Sequence, residues 1–246
     1  MRGERVRLGP PGAGALGDVI AYGHHGRPVL MFPVERGEPT DYQERGVTDA
    51  LHRLLEVGRV KLYCVEGYDS SSWLDDTLPL EERARRHGVY ESWIVNQVVP
   101  WVRADCGDGL ELIAGGCSFG AYHAANFALK RPDLFPVALC MSGIYDISAV
   151  GWGERGQEVY FNNPMHYVAN LHGEYLEWLR GLVRLVLVCG QGEAGDPSGA
   201  LESTKRFGDV LGEKQIAHEL DLWGFDVSHD WPWWCAQAAF HLDRLT

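Results

Sequence analysis

The chain has 246 residues and a formal net charge of −12, from 34 acidic against 22 basic side chains. Hydrophobic residues make up 46% and charged residues 23%, a balance that suits a soluble folded chain with a sizeable core and excludes a disordered one. An acidic surface repels phosphate backbones and anionic lipid, so neither nucleic acid nor membrane is expected as a partner.

In chain order, the charged N-terminus Met1-Arg2-Gly3-Glu4-Arg5 is followed by no apolar run, so no signal peptide is expected. Residues 9–17 are rich in Gly, Pro and Ala and read as a turn. Short apolar runs at 19–22, 29–32, 60–65, 110–114, 137–141, 185–189 and 217–222 predict strands. Longer amphipathic runs at 47–57, 80–104 (broken or kinked near Pro100), 121–130, 200–211 and 232–245 predict helices. Strands that alternate with helices, and are too apolar for a one-sided pattern, predict an α/β protein. Its central sheet should be mostly parallel, with helices on both faces. One domain is expected over 1–246. The segment 146–181, long for a simple crossover, is expected to form a cap-like insertion over the sheet's C-terminal edge. No stretch has the length of a membrane-spanning helix. The six cysteines are scattered, and four of them lie in or beside apolar runs. That fits reduced thiols in a cytoplasmic protein. Neither the cysteines nor the ten histidines have metal-ligand spacing, so no metal is expected.

Three segments carry chemistry. Gly115-Gly116-Cys117-Ser118-Phe119-Gly120 contains Gly-x-Ser-x-Gly. In a glycine-rich chain the string alone is weak, and Ser118 as a simple helix cap is the competing reading. Its setting between a strand and a helix is what a nucleophile elbow requires. The glycines let neighbouring backbone come close, and Ser118 would stand at a helix N-terminus that favours negative charge. The backbone N–H of Phe119 would then face a developing oxyanion. In the loop after the last strand, His229 occupies the place and chain order of a general base. Between the two, after the strand 185–189, both Glu193 and Asp196 fit the carboxylate that orients the base; Glu202, Asp226 and Asp230 fit less well, the last two as solvated or capping groups. After the strand 60–65, Asp69 and Trp73 are candidates for substrate-pocket lining, against the alternative of a turn with a packed tryptophan. Tyr122 and His123 read as helix packing.

With these residues in place, the chain resembles the "Putative esterase" branch of the α/β-hydrolase fold, related to esterase D (S-formylglutathione hydrolase) and the antigen 85 mycolyltransferases. The resemblance is strongest over Gly67–Trp73, Gly116–Tyr122 with Pro132-Asp133-Leu134-Phe135, Ser142–Asp146, Tyr160–Pro164 and Trp223–Trp234. It implies Ser118 as nucleophile, His229 as base and an acid after Cys189-Gly190-Gln191-Gly192, with the antigen 85 spacing favouring Asp196. It also implies a second oxyanion N–H from Val34. The expected activity is hydrolysis of a small-molecule carboxylic ester through an acyl-enzyme, with no cofactor. Acyl transfer to an alcohol by the same residues is the near alternative, and a catalytically silent binding protein on the same scaffold the distant one. Oligomeric state is not legible.

Overall fold

The computed structural model describes residues 2–9, 17–107, 109–192 and 198–246. Eight strands form one sheet: β1 (Glu4–Leu8), β2 (Gly17–Tyr22), β3 (Arg27–Phe32), β4 (Val60–Val65), β5 (Ile113–Cys117), β6 (Val137–Met141), β7 (Arg184–Gly190) and β8 (Ala217–Trp223). Their order is β1-β2-β4-β3-β5-β6-β7-β8. β1 and β2 are antiparallel; every pairing from β4 to β8 is parallel.

Period-two alternation sends successive residues of each strand to opposite faces. Leu30 and Phe32 of β3 join one core with Ala114, Ala138 and Leu185. Val29 and Met31 join the other with Ile113, Leu139 and Val186. The first face is covered by α4 (Leu80–Trp93), α5 (Val99–Cys106), α6 (Phe119–Lys130), α8 (Pro164–Asn170), α9 (Gly173–Leu182) and α10 (Ala200–Glu213). The second is covered by α1 (Asp41–Glu44), α2 (Val47–Ala50), α3 (His52–Glu56) and α11 (Trp231–Leu245). This is the mostly parallel sheet with helices on both faces expected from the alternation of elements.

The differences from the sequence reading have local causes. β1 went unpredicted because its ERVRL pattern is mostly charged. As an antiparallel edge strand it needs only one buried side, and Arg5 and Arg7 reach Asp18 across the ladder at 3.2 and 2.9 Å. β5 starts and ends three residues later than the strand predicted at 110–114, because the glycines read as turn belong to the strand. Gly115 pairs with Met31 on one side and Leu139 on the other. A Cβ there would stand 2.5 Å from the Met31 sulfur, so glycine lets the strands carry a bulky neighbour. The helix predicted at 47–57 is divided into α2 and α3 at Leu51. The helix predicted at 80–104 is interrupted by a π-turn over Ile94–Val98, just before Pro100. A proline ring clashes with the carbonyl four residues earlier, here that of Asn96, and a widened turn relieves that contact.

Within 146–181 the chain forms a 3-10 turn (Ile147–Ala149), α7 (Gln157–Phe161), α8 and most of α9. α7 packs on α4, and α8 on α10 and α6. Among the described residues no helix is long and apolar enough to cross a membrane.

Candidate active site

All parallel strands deliver their C-terminal ends to one edge of the sheet, where α/β proteins gather functional loops. β5 ends at Cys117, and α6 begins at Phe119, so a single residue turns the chain. That residue, Ser118, has φ 54° and ψ −119°. A side chain at positive φ costs of order 1–3 kcal/mol and persists only where the surroundings impose it. Here they do. The Ser118 N–H donates to Met141 O of β6 at 2.8 Å, and its carbonyl accepts from Ala121 N at 3.0 Å. A Cβ on Gly116 would stand 2.8 Å from the Gly120 Cα and closer still to the Gly120 carbonyl; one on Gly120 would strike the carbonyls of Phe32 and Pro33. The two glycines therefore allow strand, helix and the loop after β3 to meet backbone to backbone. Phe119 is the first residue of α6, so its N–H is among the helix donors with no partner inside the helix.

The loop after β3 is anchored from the other side. The buried Tyr42 hydroxyl donates to Phe32 O at 2.6 Å. Burial raises the Tyr42 pKa well above the usual phenol value, so this group remains a donor. Pro33 is buried, Val34 is half-buried, and Gly37 N closes a turn onto Val34 O at 2.8 Å. The expected second donor, Val34, thus lies in the loop whose first residues press on Gly120.

His229 follows β8 and is half-buried. Its Nδ1 lies 3.2 Å from Ser198 Oγ, which also accepts from Ala200 N at 3.2 Å. Its ring meets that of Trp234 edge-to-face, with centroids 4.9 Å apart at 83°. The Trp234 indole N–H donates to Ser142 Oγ at 3.2 Å, and Ser142 is itself held at φ 55° with its N–H on Val188 O at 2.7 Å. Ser142 directly follows Met141, whose carbonyl holds the Ser118 N–H. One short path of hydrogen bonds and a ring contact therefore ties the Ser118 turn to the wall behind His229.

The loop after β7 starts beside the His229 loop. Gln191 N donates to Gly224 O at 3.2 Å, Gly192 N to Val227 O at 3.1 Å, and Gln191 Nε2 to Trp223 O at 2.9 Å. Glu193 and Asp196, the two candidate acids, lie outside the described residues. Of the flanking carboxylates, Asp230 caps α11 by accepting from Trp231 N at 2.7 Å.

Asp69 and Trp73, expected to line a pocket, are enclosed instead, with 2% and 0% exposure. The Trp73 indole is a large apolar surface and packs in a cluster with Phe119 and Tyr122. Asp69 Oδ1 takes His123 Nε2 at 3.0 Å. His123 on α6 is buried in packing, as expected, and is also the hydrogen-bond partner of Asp69. Cys117 adjoins Ser118, yet burial pushes its thiol well above the usual range, which removes it as a competing nucleophile. Among the described residues no group of His, Cys, Asp or Glu side chains could hold a metal ion. Ser198 and Tyr42 went unread in the sequence, and Ser142 and Trp234 were read only as parts of segments that resemble the family, without these roles. Each acts on a partner distant in the chain, and a local motif carries no trace of that.

The family model described as "Putative esterase" matches residues 66–239, well over half of the chain and inclusive of Ser118 and His229. The chain belongs to this esterase family. The esterase is a carboxylic ester hydrolase on an α/β-hydrolase fold. Among solved structures it is similar to a ferulic acid esterase, with 16% identity, a TM-score of 0.77 and coverage of 100% of this chain and 97% of that one. It is also similar to MPT51 of Mycobacterium tuberculosis, with 15% identity, a TM-score of 0.75 and coverage of 100% and 98%. S-formylglutathione hydrolase of Staphylococcus aureus gives 13% identity, a TM-score of 0.71 and coverage of 99% and 96%. At these identities the likeness speaks for the fold. No curated protein matches the esterase by sequence.

Proposed function

We propose that the esterase hydrolyses a small-molecule carboxylic ester through an acyl-enzyme on Ser118. The observation that carries this reading is the Ser118 turn, a serine at φ 54° between a central parallel strand and a helix N-terminus. In this reading His229 takes the Ser118 proton on Nε2 as Oγ bonds to the ester carbonyl carbon. The N–H groups of Phe119 and Val34 bind the resulting oxyanion, a type of contact worth about 3–4 kcal/mol per donor in measured cases. When the tetrahedral centre collapses, the C–O bond to the alcohol breaks and His229 returns the proton to the leaving oxygen. Water then attacks the acyl carbonyl, again losing a proton to His229, and Ser118 leaves with that proton. The carboxylate that orients His229 is Asp196, with Glu193 as the alternative, from the loop that starts beside the His229 loop. No disulfide joins the six cysteines, which fits work in a reducing compartment such as the cytoplasm.

A fluorophosphonate probe followed by peptide mapping tests the nucleophile: the adduct is expected on Ser118, and a labelled protein without it there overturns the reading. Ser118→Ala is expected to lower kcat on a p-nitrophenyl acyl ester by at least about 10⁴-fold. Asp196→Asn against Glu193→Gln separates the two acids, with the larger kcat loss marking the orienting carboxylate.

A further inference from the structure

Beneath the Ser118 turn, a polar pair is sealed inside an aromatic shell. Asp69 and His123 are 2% and 1% exposed and meet at 3.0 Å. A buried hydrogen-bonded polar pair adds little net stability over apolar packing of similar volume, so it is weak evidence for stability and better evidence for a fixed geometry. Apolar packing has no direction, whereas one hydrogen bond on Nε2 sets the rotation of the imidazole about its bond to Cβ.

The position of that ring has consequences on two sides. It meets the Phe119 ring edge-on, with centroids 5.0 Å apart at 87°, and the Phe32 ring at 5.9 Å. Phe119 carries one proposed oxyanion N–H, and Phe32 stands two residues before Val34, which carries the other. Asp69 and the same loop both border Gly67. A Cβ built on Gly67 would lie 3.0 Å from Pro33 Cγ, 3.4 Å from Gly37 O and 3.9 Å from Asp69 Oδ2, so the loop 33–37 and the Asp69 carboxylate both flank the Gly67 backbone. No hydrogen bond reaches that oxygen among the described residues. Asp69 is fixed in turn by its own turn, its carbonyl accepting from Ser72 N at 3.0 Å and Leu74 N at 2.8 Å.

We infer that Asp69 and His123 form a positioning pair that sets the spacing between the Phe119 and Val34 donors. The inference rests on the proposed function, since it acts through those two N–H groups. Misplacement of a reacting group by about 1 Å costs on the order of 100-fold in rate, which bounds the effect of a smaller shift in the two donors. The expected loss of kcat on breaking the pair is therefore about 10- to 100-fold.

The test uses Asp69→Asn, His123→Phe, His123→Gln and the double variant Asp69→Asn/His123→Gln in the full chain. Active sites are counted first by fluorophosphonate titration, so that kcat is expressed per competent site. His123→Phe keeps the ring packing and loses the bond; His123→Gln keeps a donor for Asp69 in a smaller, less disruptive side chain. His123→Phe is expected to lose about 10- to 100-fold in kcat with KM within about threefold, and Asp69→Asn, whose amide oxygen can still accept from Nε2, to lose less. His123→Gln is expected to retain more than His123→Phe, and the double variant to cost no more than the worse single one. Inhibition by a trifluoromethyl ketone, whose serine adduct bears the oxyanion, is expected to weaken in proportion to kcat. A purely structural pair would lower the number of titratable sites and leave kcat per site unchanged, and that result overturns the inference. Wild-type protein that takes no probe on Ser118 defeats the proposed function instead, so the two failures are distinct.

Discussion

Gly120 shows how much a single residue decides. The position where its side chain would begin is occupied by the carbonyls of Phe32 and Pro33. These belong to backbone in a central strand and its exit, which cannot swing aside as a side-chain tip can. Gly120→Ala is therefore expected to destabilise the fold by at least about 3 kcal/mol, the upper range for overpacking a tight interior. Urea unfolding measures this, and wild-type stability in the variant would show that the close approach is dispensable. Any fraction that folds should also lose activity, because relief must come from moving the loop that leads to Val34. Gly116 acts in the same place from the strand side, against the Gly120 backbone. The glycines of the motif thus matter for what they leave room for, and Ser118 is strained because its neighbours are fixed.

At the scale of elements, α6 and α11 divide the labour. α6 is buried along almost its whole length, from Phe119 to Leu129, and brings Ser118 and His123 to the sheet as one rigid body. α11 lies on the opposite face and sends Trp234 up against His229 and Ser142. Trp234→Phe would preserve an aromatic wall and remove the indole donor, leaving the Ser142 hydroxyl without it in a buried place. The expected cost is about 1–3 kcal/mol in stability, together with a few-fold fall in kcat as the His229 ring gains freedom. Equal kcat with lowered stability would mean that the wall supports the fold without orienting the ring.

For the molecule as a whole, buried histidines make stability depend on pH. Burial first, and then the neighbouring His123 and Lys130, hold the pKa of His87 well below 6.5. The unfolded chain binds a proton near 6.5 and the native state does not, so this contribution is present above 6.5 and lost as pH falls below it. Stability is therefore expected to fall between pH 7.5 and 5.5, with His87 contributing to the loss. Neither of its ring nitrogens has a hydrogen-bond partner among the described residues, so His87→Phe is expected to be neutral or stabilising at pH 7.5 and to flatten the dependence. Unfolding curves for the two proteins at both pH values check this; parallel losses would contradict it. The surface carboxylates act in a lower window. Hydrogen bonds from Arg244, ahead of its charge, hold Glu219 below its usual range despite some burial, and its contribution disappears only as pH falls below about 4.5.

Much of the layout is legible in the sequence because it depends on near neighbours along the chain. Apolar runs of strand length, alternating with amphipathic helices, determine a parallel sheet covered on both faces. The glycines around Ser118, set between such a run and a helix, determine where a strained turn can occur. The order of Ser118, an acidic loop and His229 is also a property of the chain alone. What the sequence leaves undecided is every partnership across the sheet. Asp69 and His123 are 54 positions apart, and Trp234 and Ser142 are 92. The residues 69 and 73 read as candidates for an open wall because a loop after a central strand is commonly exposed. Only packing decided otherwise, since α6 brings Phe119, Tyr122 and His123 down on top of them. β5 ran three residues beyond its predicted end for the same reason, because strands on either side supply hydrogen bonds that glycine cannot secure alone. Local preference sets what each segment can become; burial and close approach between distant segments decide which of those possibilities the chain keeps.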